Sequence, residues 1–432
     1  MMISFTTATP RTMTPADAVS LVQPGQRVYI GSGCGVPTPL LEALAARGPE
    51  LRAVEVVHIL TAGTDPTTAP ELAESFRHNV FFACANSRRA LHEGRADFTP
   101  VYLSEIPSLF RSGQLPIDVA LIQVSPPDEH GFCSLGVEVG CTLPAALHAR
   151  TVVAEINERM PRTLGDSFIH ISRIAAFVET NRPLCEAPQG TPDPVAEQIG
   201  RYVAELIPDG ATLQLGIGAI PDAVLRCLKH KRHLGVHSEL FSDGIIELVE
   251  AGVIDGEAKA VHRGKLVAGF LLGTRRLFDW VHNNPMVEMH PTDYVNDPWV
   301  IARQTRMVAI NSAIQIDLTG QVCADSIGPR IYSGAGGQVD FIRGAARSEG
   351  GLPIIALPST AKGGTISRIV PTLDQGAGVV TSRYDVRYVV TEYGVAHLHG
   401  KTLAQRARAL IDIAHPAYRE SLTAAARELQ YL

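Results

Sequence analysis

The chain reads as an α/β protein of two similar halves, each built on a mostly parallel sheet. Three observations predict this. A segment occurs twice, as LVQPGQRVYIGSG at Leu21–Gly33 and LIPDGATLQLGIG at Leu206–Gly218, with no gap between the copies and an offset of 185 residues. Apolar runs of strand length recur between helical stretches, the order expected of parallel strands with helices on both faces. A proline-rich break, PLCEAPQGTPDP at Pro183–Pro194, divides the chain near residue 190.

Each copy of the repeat places a glycine in a turn (Gly25, Gly210), then a short apolar strand, then a Gly-x-Gly bend (Gly31 and Gly33; Gly216 and Gly218). A proline and a helical stretch follow in both, from Pro37 and from Pro221. The first helix is announced by Thr14-Pro15-Ala16-Asp17, an N-cap, a proline at the first helical position and an acid in the first turn. Val28–Ile30, Val54–Leu60, Val80–Cys84, Val119–Val124 and Val152–Ile156 are nearly continuous in apolar residues, as strands buried on both faces should be. Pro39–Ala46 reads as a helix between two of them. Beyond the break, Val195, Ile199, Tyr202, Val203, Leu206 and Ile207 fall at helical spacing and lead into the second copy. Leu213–Leu215, Leu266–Leu272, Met307–Ile310, Ile354–Leu357, Val379–Thr381 and Tyr388–Val390 read as further strands. The domains are therefore expected at 1–190 and 191–432.

Composition narrows the function. A chain of 432 residues, 45% hydrophobic and 19% charged, has enough apolar material for two or three domains with real cores. Its net charge of −6 offers no general attraction to nucleic acid or anionic membranes. No apolar stretch approaches the roughly 20 residues of a spanning helix. The N-terminal MMISFTTATPRTMTP lacks the basic and apolar regions of a signal peptide. Seven cysteines, an odd number with no CxxC pair, read as scattered thiols of a cytoplasmic protein, with neither a disulfide framework nor a zinc site.

The chemistry concentrates in the second half. Only the second copy is followed by GVHSELFSDG, in which Glu239 comes just after a short strand, Val236–Ser238, and before a turn at Gly244. In open α/β sheets ligands bind beyond the carboxyl ends of strands. A carboxylate there would face the free backbone amides of Gly216–Gly218, act as a nucleophile, and leave those amides to hold the oxyanion formed on attack at a carbonyl. Two other readings stand beside this one. Glu239 could cap a helix or pair with an arginine. It could also be the acid that binds a ribose hydroxyl after a GxGxxG loop. Against the dinucleotide reading, Pro221 stands where the third glycine would be. His237 shares the strand face of Glu239 at a period of two, to tune it or as a core histidine. Asp128-Glu129-His130-Gly131 reads as a solvated turn, since consecutive side chains converge poorly on one ion. Lys362 lies in Ser359–Thr365, and Gly337 in Tyr332–Gln338, two glycine-rich clusters whose backbone amides could approach a ligand closely. Lys362 suits a phosphate, or is a solvated loop lysine.

These motifs resemble the acetyl-CoA hydrolase/transferase family. The likeness runs over nearly the whole chain, through Gly31–Gly35, VSPPDEHGFCSLG at Val124–Gly136, LQLGIGAIPDAV at Leu213–Val224, GVHSELFSDG, INSAIQIDLTGQV at Ile310–Val322, YSGAGGQVDF at Tyr332–Phe341, PSTAKGGTISRIVP at Pro358–Pro371 and TEYGVAHLHGKT at Thr391–Thr402. His399 stands where the resemblance leads one to expect arginine. The resemblance implies two CoA-transferase-type (NagB/RpiA-like) α/β domains and Glu239 as the nucleophile. It places CoA contacts at Gln214, Leu215, Gly216, Ile217, Gly218, Ile314, Gly337 and Lys362. It implies a CoA-transferase that moves CoA between short-chain carboxylic acids through an acyl–glutamyl anhydride and a glutamyl–CoA thioester, with acyl-CoA hydrolysis on the same scaffold as the alternative. An oxidoreductase or a non-catalytic CoA-binding module would be a reading from another class. Coenzyme A and acyl-CoA are expected as substrates, with no permanently bound cofactor, no metal, no membrane or nucleic-acid partner, and a homodimer as the assembly.

Overall fold

Strands that are apolar on both faces need cover on both sides, and the structure supplies it. The computed structural model describes residues 11–188, 190–191 and 193–432. They form two units: one runs to Pro188 and adds Val267–Val295, the other holds the chain up to Leu266 and from Asn296 to Leu432. The chain passes between the units after Pro188, after Leu266 and after Val295, where the sequence led one to expect a single boundary near 190. Most of the stretch examined for a signal peptide is outside the described residues.

The first unit carries an eight-stranded sheet, in the order Arg11–Thr12, Ala176–Thr180, Thr151–Asn157, Val119–Val124, Arg27–Ile30, Val54–His58, Phe76–Val80 and Ala96–Phe98. Every neighbouring pair is parallel. All six residues of Val119–Val124 are buried, the burial expected of a strand covered on both faces. In the second unit the order is Gly394–His397, Tyr388–Thr391, Leu352–Ala356, Met307–Asn311, Thr212–Leu215 and Gly235–His237. These strands are parallel except for the terminal hairpin Tyr388–Thr391/Gly394–His397.

The repeat is structural as well as sequential. Gly25 and Gly210 both have left-handed backbones, φ +77° and +72°. Each donates its N–H, at 2.9 Å, to the carbonyl that precedes the next strand by a few residues, Arg52 and Arg232. Both repeat strands sit where strand order reverses. Arg27–Ile30 lies between the strand that follows it, Val54–His58, and a later one, Val119–Val124. Thr212–Leu215 lies likewise between Gly235–His237 and Met307–Asn311. Helices cannot cover the crevice at such a reversal, so each Gly-x-Gly bend opens at a topological switch point. The leading helices, Pro15–Val19 and Pro194–Leu206, start alike: Thr14 accepts the Asp17 N–H, Asp193 accepts the Ala196 N–H, and proline occupies the first turn.

Three expected strands differ. The strand expected at Val80–Cys84 is Phe76–Val80, which alternates Phe76, His78 and Val80 inward with Arg77 and Asn79 outward; Cys84 instead begins the helix Ala85–His92. Leu266–Leu272 is broken at Gly269, whose carbonyl accepts the N–H groups of Val139 and Gly140 at 3.0 and 2.8 Å. Val379–Thr381 forms no ladder, only an isolated bridge from Thr381 to Val322. Gly244 opens the helix Gly244–Glu250 rather than a turn. In the proline-rich break the described residues before Pro194 carry no helix or strand.

Helix Pro194–Leu206 packs against helix Ala219–Cys227, which follows the second Gly-x-Gly bend. The approach is close because Gly200 has no Cβ: one added there would come within 2.8 Å of the Ala223 carbonyl carbon and 2.9 Å of its Cβ. Gly200→Ala gains about 1 kcal/mol of helix propensity but overpacks at a cost of about 1–3 kcal/mol. The variant is expected to unfold at lower denaturant concentration with an unchanged m-value; equal or higher stability would show that the helices separate freely.

Candidate active site at the second switch point

Strand Gly235–His237 ends one residue before Ser238 and two before Glu239. Ser238 ties this end to the repeat strand: its hydroxyl donates to the Leu215 carbonyl at 3.1 Å and accepts the Leu215 N–H at 3.3 Å. The chain then turns Glu239 toward two groups. Asn296 Nδ2 donates to Glu239 Oε2 at 3.3 Å, and the Gly337 backbone N–H bonds the same carboxylate. Asn296 is wholly buried. Gly337 caps the helix Gln338–Arg347, and its φ of −91° is open to any residue, so its glycine character answers to space. A Cβ there would collide with Glu239 Oε2 and Asn296 Nδ2.

Burial pushes the Glu239 carboxyl above its ordinary range, and the Asn296 and Gly337 hydrogen bonds pull it partly back. The helix N-terminus also favours the anion, by about 0.3–1 kcal/mol. Desolvation of a carboxylate is worth more, so the net direction is upward. The result is a more basic, partly buried carboxylate held by two donors.

At the carboxyl ends of three strands of the same sheet lies a cleft of about 310 Å³ whose lining includes Gly216, Ile217, Asn311, Ser312, Pro358 and Arg368. Of the expected ligand contacts, Gly216 and Ile217 line this cleft. Gln214 and Leu215 are buried in the strand beneath it; Gln214 Oε1 accepts from Asn311 Nδ2 at 3.0 Å and supports the wall. Gly218, at φ +109°, begins helix Ala219–Cys227. Ile314 is partly buried, its N–H bonded to the Cys323 carbonyl, and Lys362 is exposed with a left-handed φ of +49°, ahead of Gly363 and Gly364. Neither lines the cleft. Gly337 meets Glu239 itself.

Two residues of this site escaped the sequence reading. Asn296 follows the short helix Thr292–Val295 with no motif to mark it. Arg368 carried only the signal of a cation in an apolar stretch. Its guanidinium donates to the Ala313 carbonyl at 3.1 Å, while Nε has no partner among the described residues. Burial lowers its pKa, Tyr332 and Glu392 oppose that, and an arginine stays charged. His237 is buried with its ring 6.3 Å from that of Phe341, a core position. Asp128 accepts the N–H groups of His130 and Phe132 and pairs with Arg162 at 3.1 Å, which makes its segment a braced turn.

The first switch point has a carboxylate too, supplied by a different part of the chain. Glu138 lines a small cavity with Ser32, Gly33 and Cys141. Its carboxyl is buried and pushed up to about 8, with backbone N–H groups of Cys141, Ser32 and Thr142 opposing the shift. Each half therefore holds an acid near its repeat strand: Glu138 beside Ser32 and Gly33, and Glu239 next to Ser238, which bonds Leu215.

Sequence models of the acetyl-CoA hydrolase/transferase N-terminal and C-terminal domains match residues 6–186 and 273–426. The chain belongs to the acetyl-CoA hydrolase/transferase family. It is 55% identical over 410 residues to the 4-hydroxybutyrate coenzyme A transferase of Clostridium kluyveri, covering 95% of this chain and 96% of that one. It is 49% identical over 415 residues to the succinyl-CoA:acetate/propanoyl-CoA:succinate CoA transferase of Fasciola hepatica, covering 95% and 86%. The crystal structure of 4-hydroxybutyrate CoA-transferase from Porphyromonas gingivalis superposes with a TM-score of 0.83 at 41% identity, covering 97% of this chain and 98% of that one. The α/β fold expected from the resemblance is thereby shown.

Two outcomes follow from the carboxyl environments. Asn296→Ala removes a hydrogen bond that lowers the Glu239 pKa, so the acid limb of kcat/KM in any reaction that uses the Glu239 anion should move to higher pH; an unmoved limb would mean that Asn296 does not hold the anion. Glu138 retains its proton in the fold between the unfolded value near 4.5 and about 8, where the unfolded chain has lost it, so it costs stability increasingly as pH rises through that window. Glu138→Gln should raise the melting temperature more at pH 8 than at pH 5, and an equal change at both would contradict the shift.

Proposed function

We propose that this protein is an acyl-CoA:carboxylate CoA-transferase acting on short-chain acids, with Glu239 as its nucleophile. One observation carries the reading: a carboxylate at a switch point, made more basic by burial, rests on an amide side chain and a backbone N–H, in a sheet whose repeat strand ends at an open cleft lined by Gly216 and Ile217. Membership of the family and the names of the Clostridium kluyveri and Fasciola hepatica relatives support it. Those two relatives differ in acyl group, so the reading is of the class: acetate, butyrate and 4-hydroxybutyrate types.

A Glu239 oxygen attacks the thioester carbonyl carbon. The C–S bond breaks, and CoA departs as the thiolate, leaving an acyl–glutamyl anhydride. The thiolate then attacks the Glu239 carbonyl carbon, expels the first acid as its carboxylate and leaves a glutamyl–CoA thioester. A second carboxylate attacks that thioester, re-forming an anhydride, and the released thiolate takes the new acyl group and restores Glu239. No proton is gained or lost overall. Each tetrahedral intermediate carries an oxyanion, and one well-placed N–H donor is worth about 3–4 kcal/mol to it. Binding energy from the remote CoA moiety offsets the weak nucleophilicity of a carboxylate. In this reading Gly216 and Ile217 lie along the bound CoA, Gln214, Leu215, Gly218 and Ile314 shape its approach, and Arg368 and Lys362 offer cations for its phosphates. CoA enters and leaves as a substrate in a cytoplasmic homodimer, and the chemistry needs no resident cofactor.

Glu239→Gln should lower transfer by roughly 10⁴-fold or more while CoA still binds. Mass spectrometry of wild-type protein quenched during turnover should find CoA on the peptide containing Glu239; steady turnover without that adduct would overturn the mechanism. A hydrolase would release CoA at full rate without acceptor acid, whereas the transferase needs the acceptor and shows ping-pong kinetics.

A further inference from the structure

Strands Val54–His58 and Phe76–Val80 are neighbours in the first unit, with Val56 opposite His78 and His58 opposite Val80. Two histidines are an unusual cargo for the interior of a parallel sheet. Both are buried, at 0% and 2% exposure, and Asp65, at 2%, joins them from the turn Pro66–Thr68 that it caps. His58 Nε2 is 3.2 Å from His78 Nδ1, and His78 Nδ1 is 4.0 Å from Asp65 Oδ2. All three donor atoms lie within 4.8 Å of one another.

The outward-facing nitrogens are held. Thr61 Oγ1 is 3.1 Å from His58 Nδ1, and Thr67 Oγ1 is 3.2 Å from His78 Nε2. The Thr67 hydroxyl gives its proton to Asp65 Oδ1 at 2.5 Å, and the Thr67 N–H bonds the same oxygen at 3.0 Å. Thr67 therefore accepts from His78 Nε2–H, which leaves the Nδ1 lone pair of a neutral His78 facing inward. Burial lowers the pKa of both histidines, His58 to about 4, so neutral rings are the expected forms. Asp65 Oδ2 faces the same point and has no hydrogen-bond donor among the described residues. Arg95, a cation whose charge acts on His78, is engaged with the Thr68 carbonyl and Glu93. A buried carboxylate oxygen without a partner beside two imidazoles calls for a cation.

We propose that His58, Asp65 and His78 form a binding site for a divalent transition-metal ion, zinc by preference, that staples this edge of the first sheet. Imidazole and carboxylate donors suit zinc, and bonds of about 2.0–2.2 Å place tetrahedral ligands roughly 3.3 Å apart. The His58–His78 spacing matches that value, and Asp65 needs to move only slightly inward. Thr61 and Thr67 fix the ring orientations as outer-shell partners do. The fourth position is left for water. The ion is structural and takes no part in the chemistry at Glu239.

The full chain, purified without chelator or affinity-tag metal, should contain close to one zinc per chain by elemental mass spectrometry. Depletion with chelator should lower the melting temperature, and zinc at a hundredfold excess over Kd should restore it, by on the order of 5 °C. Cobalt(II) added to depleted protein should develop visible d–d absorption. Asp65→Asn, nearly isosteric and free of the unpartnered charge, keeps the fold testable. It should lose the cobalt spectrum and weaken zinc binding at least tenfold. Metal-free protein whose melting ignores zinc and whose cobalt spectrum is blank would overturn the proposal. So would an Asp65→Asn variant that binds both ions as the wild type does.

Discussion

The second switch point depends on a clearance: Gly337 has no side chain, and Glu239 occupies the space. The backbone N–H that begins helix Gln338–Arg347 can reach the carboxylate only because nothing stands between them. Any larger residue would drive Glu239 and Asn296 away together. The same contact sets the electrostatics. Burial raises the carboxyl pKa, and the hydrogen bonds from Asn296 and Gly337 oppose that shift.

The fold explains why such a clearance can exist there. A parallel sheet with helices on both faces leaves an uncovered crevice only where strand order reverses. Each half has one such reversal, next to the Gly-x-Gly bend of its repeat strand. The two mouths then diverge in chemistry. At the second, the acid comes from the next strand and is met by a side-chain amide and one helix terminus. At the first, Glu138 arrives from a separate loop and is met by the backbone amides of Cys141, Ser32 and Thr142, with burial dominant enough to push it up to about 8. One scaffold thus surrounds two carboxyls with different donors, while burial raises the pKa of both.

The parts of this arrangement legible in the sequence are those with local causes. Gly25 and Gly210 could be read as turns because left-handed backbone selects glycine. The cap at Thr14 and the helix after Pro194 follow from short-range chemistry. Val119–Val124 and Met307–Asn311 announce themselves as apolar runs. Phe76–Val80 does not, because His78 is buried for its polar contacts and interrupts the run that marks a central strand. Glu239 was readable from its motif and its place after a strand. Asn296 was not: its role is set by a packing partner 57 residues away, and no local rule encodes that.

Arg368 and His78 show the same limit from the side of charge. Sequence patterning treats a polar residue inside an apolar stretch as a fault in the stretch. In the folded chain such a residue is where an unmet electrostatic demand accumulates. A half-buried guanidinium whose Nε lacks an acceptor among the described residues is a standing attraction for an anion, and a buried carboxylate oxygen lacking a donor among them is one for a cation. Because an unsatisfied buried group costs on the order of 1–3 kcal/mol or more, a fold retains few without compensation. Ligand sites are therefore to be sought where the interior is least self-sufficient. Among the described residues, Arg368 at the cleft lined by Gly216 and Asp65 in the His58–Asp65–His78 cluster are two of the places that meet this criterion.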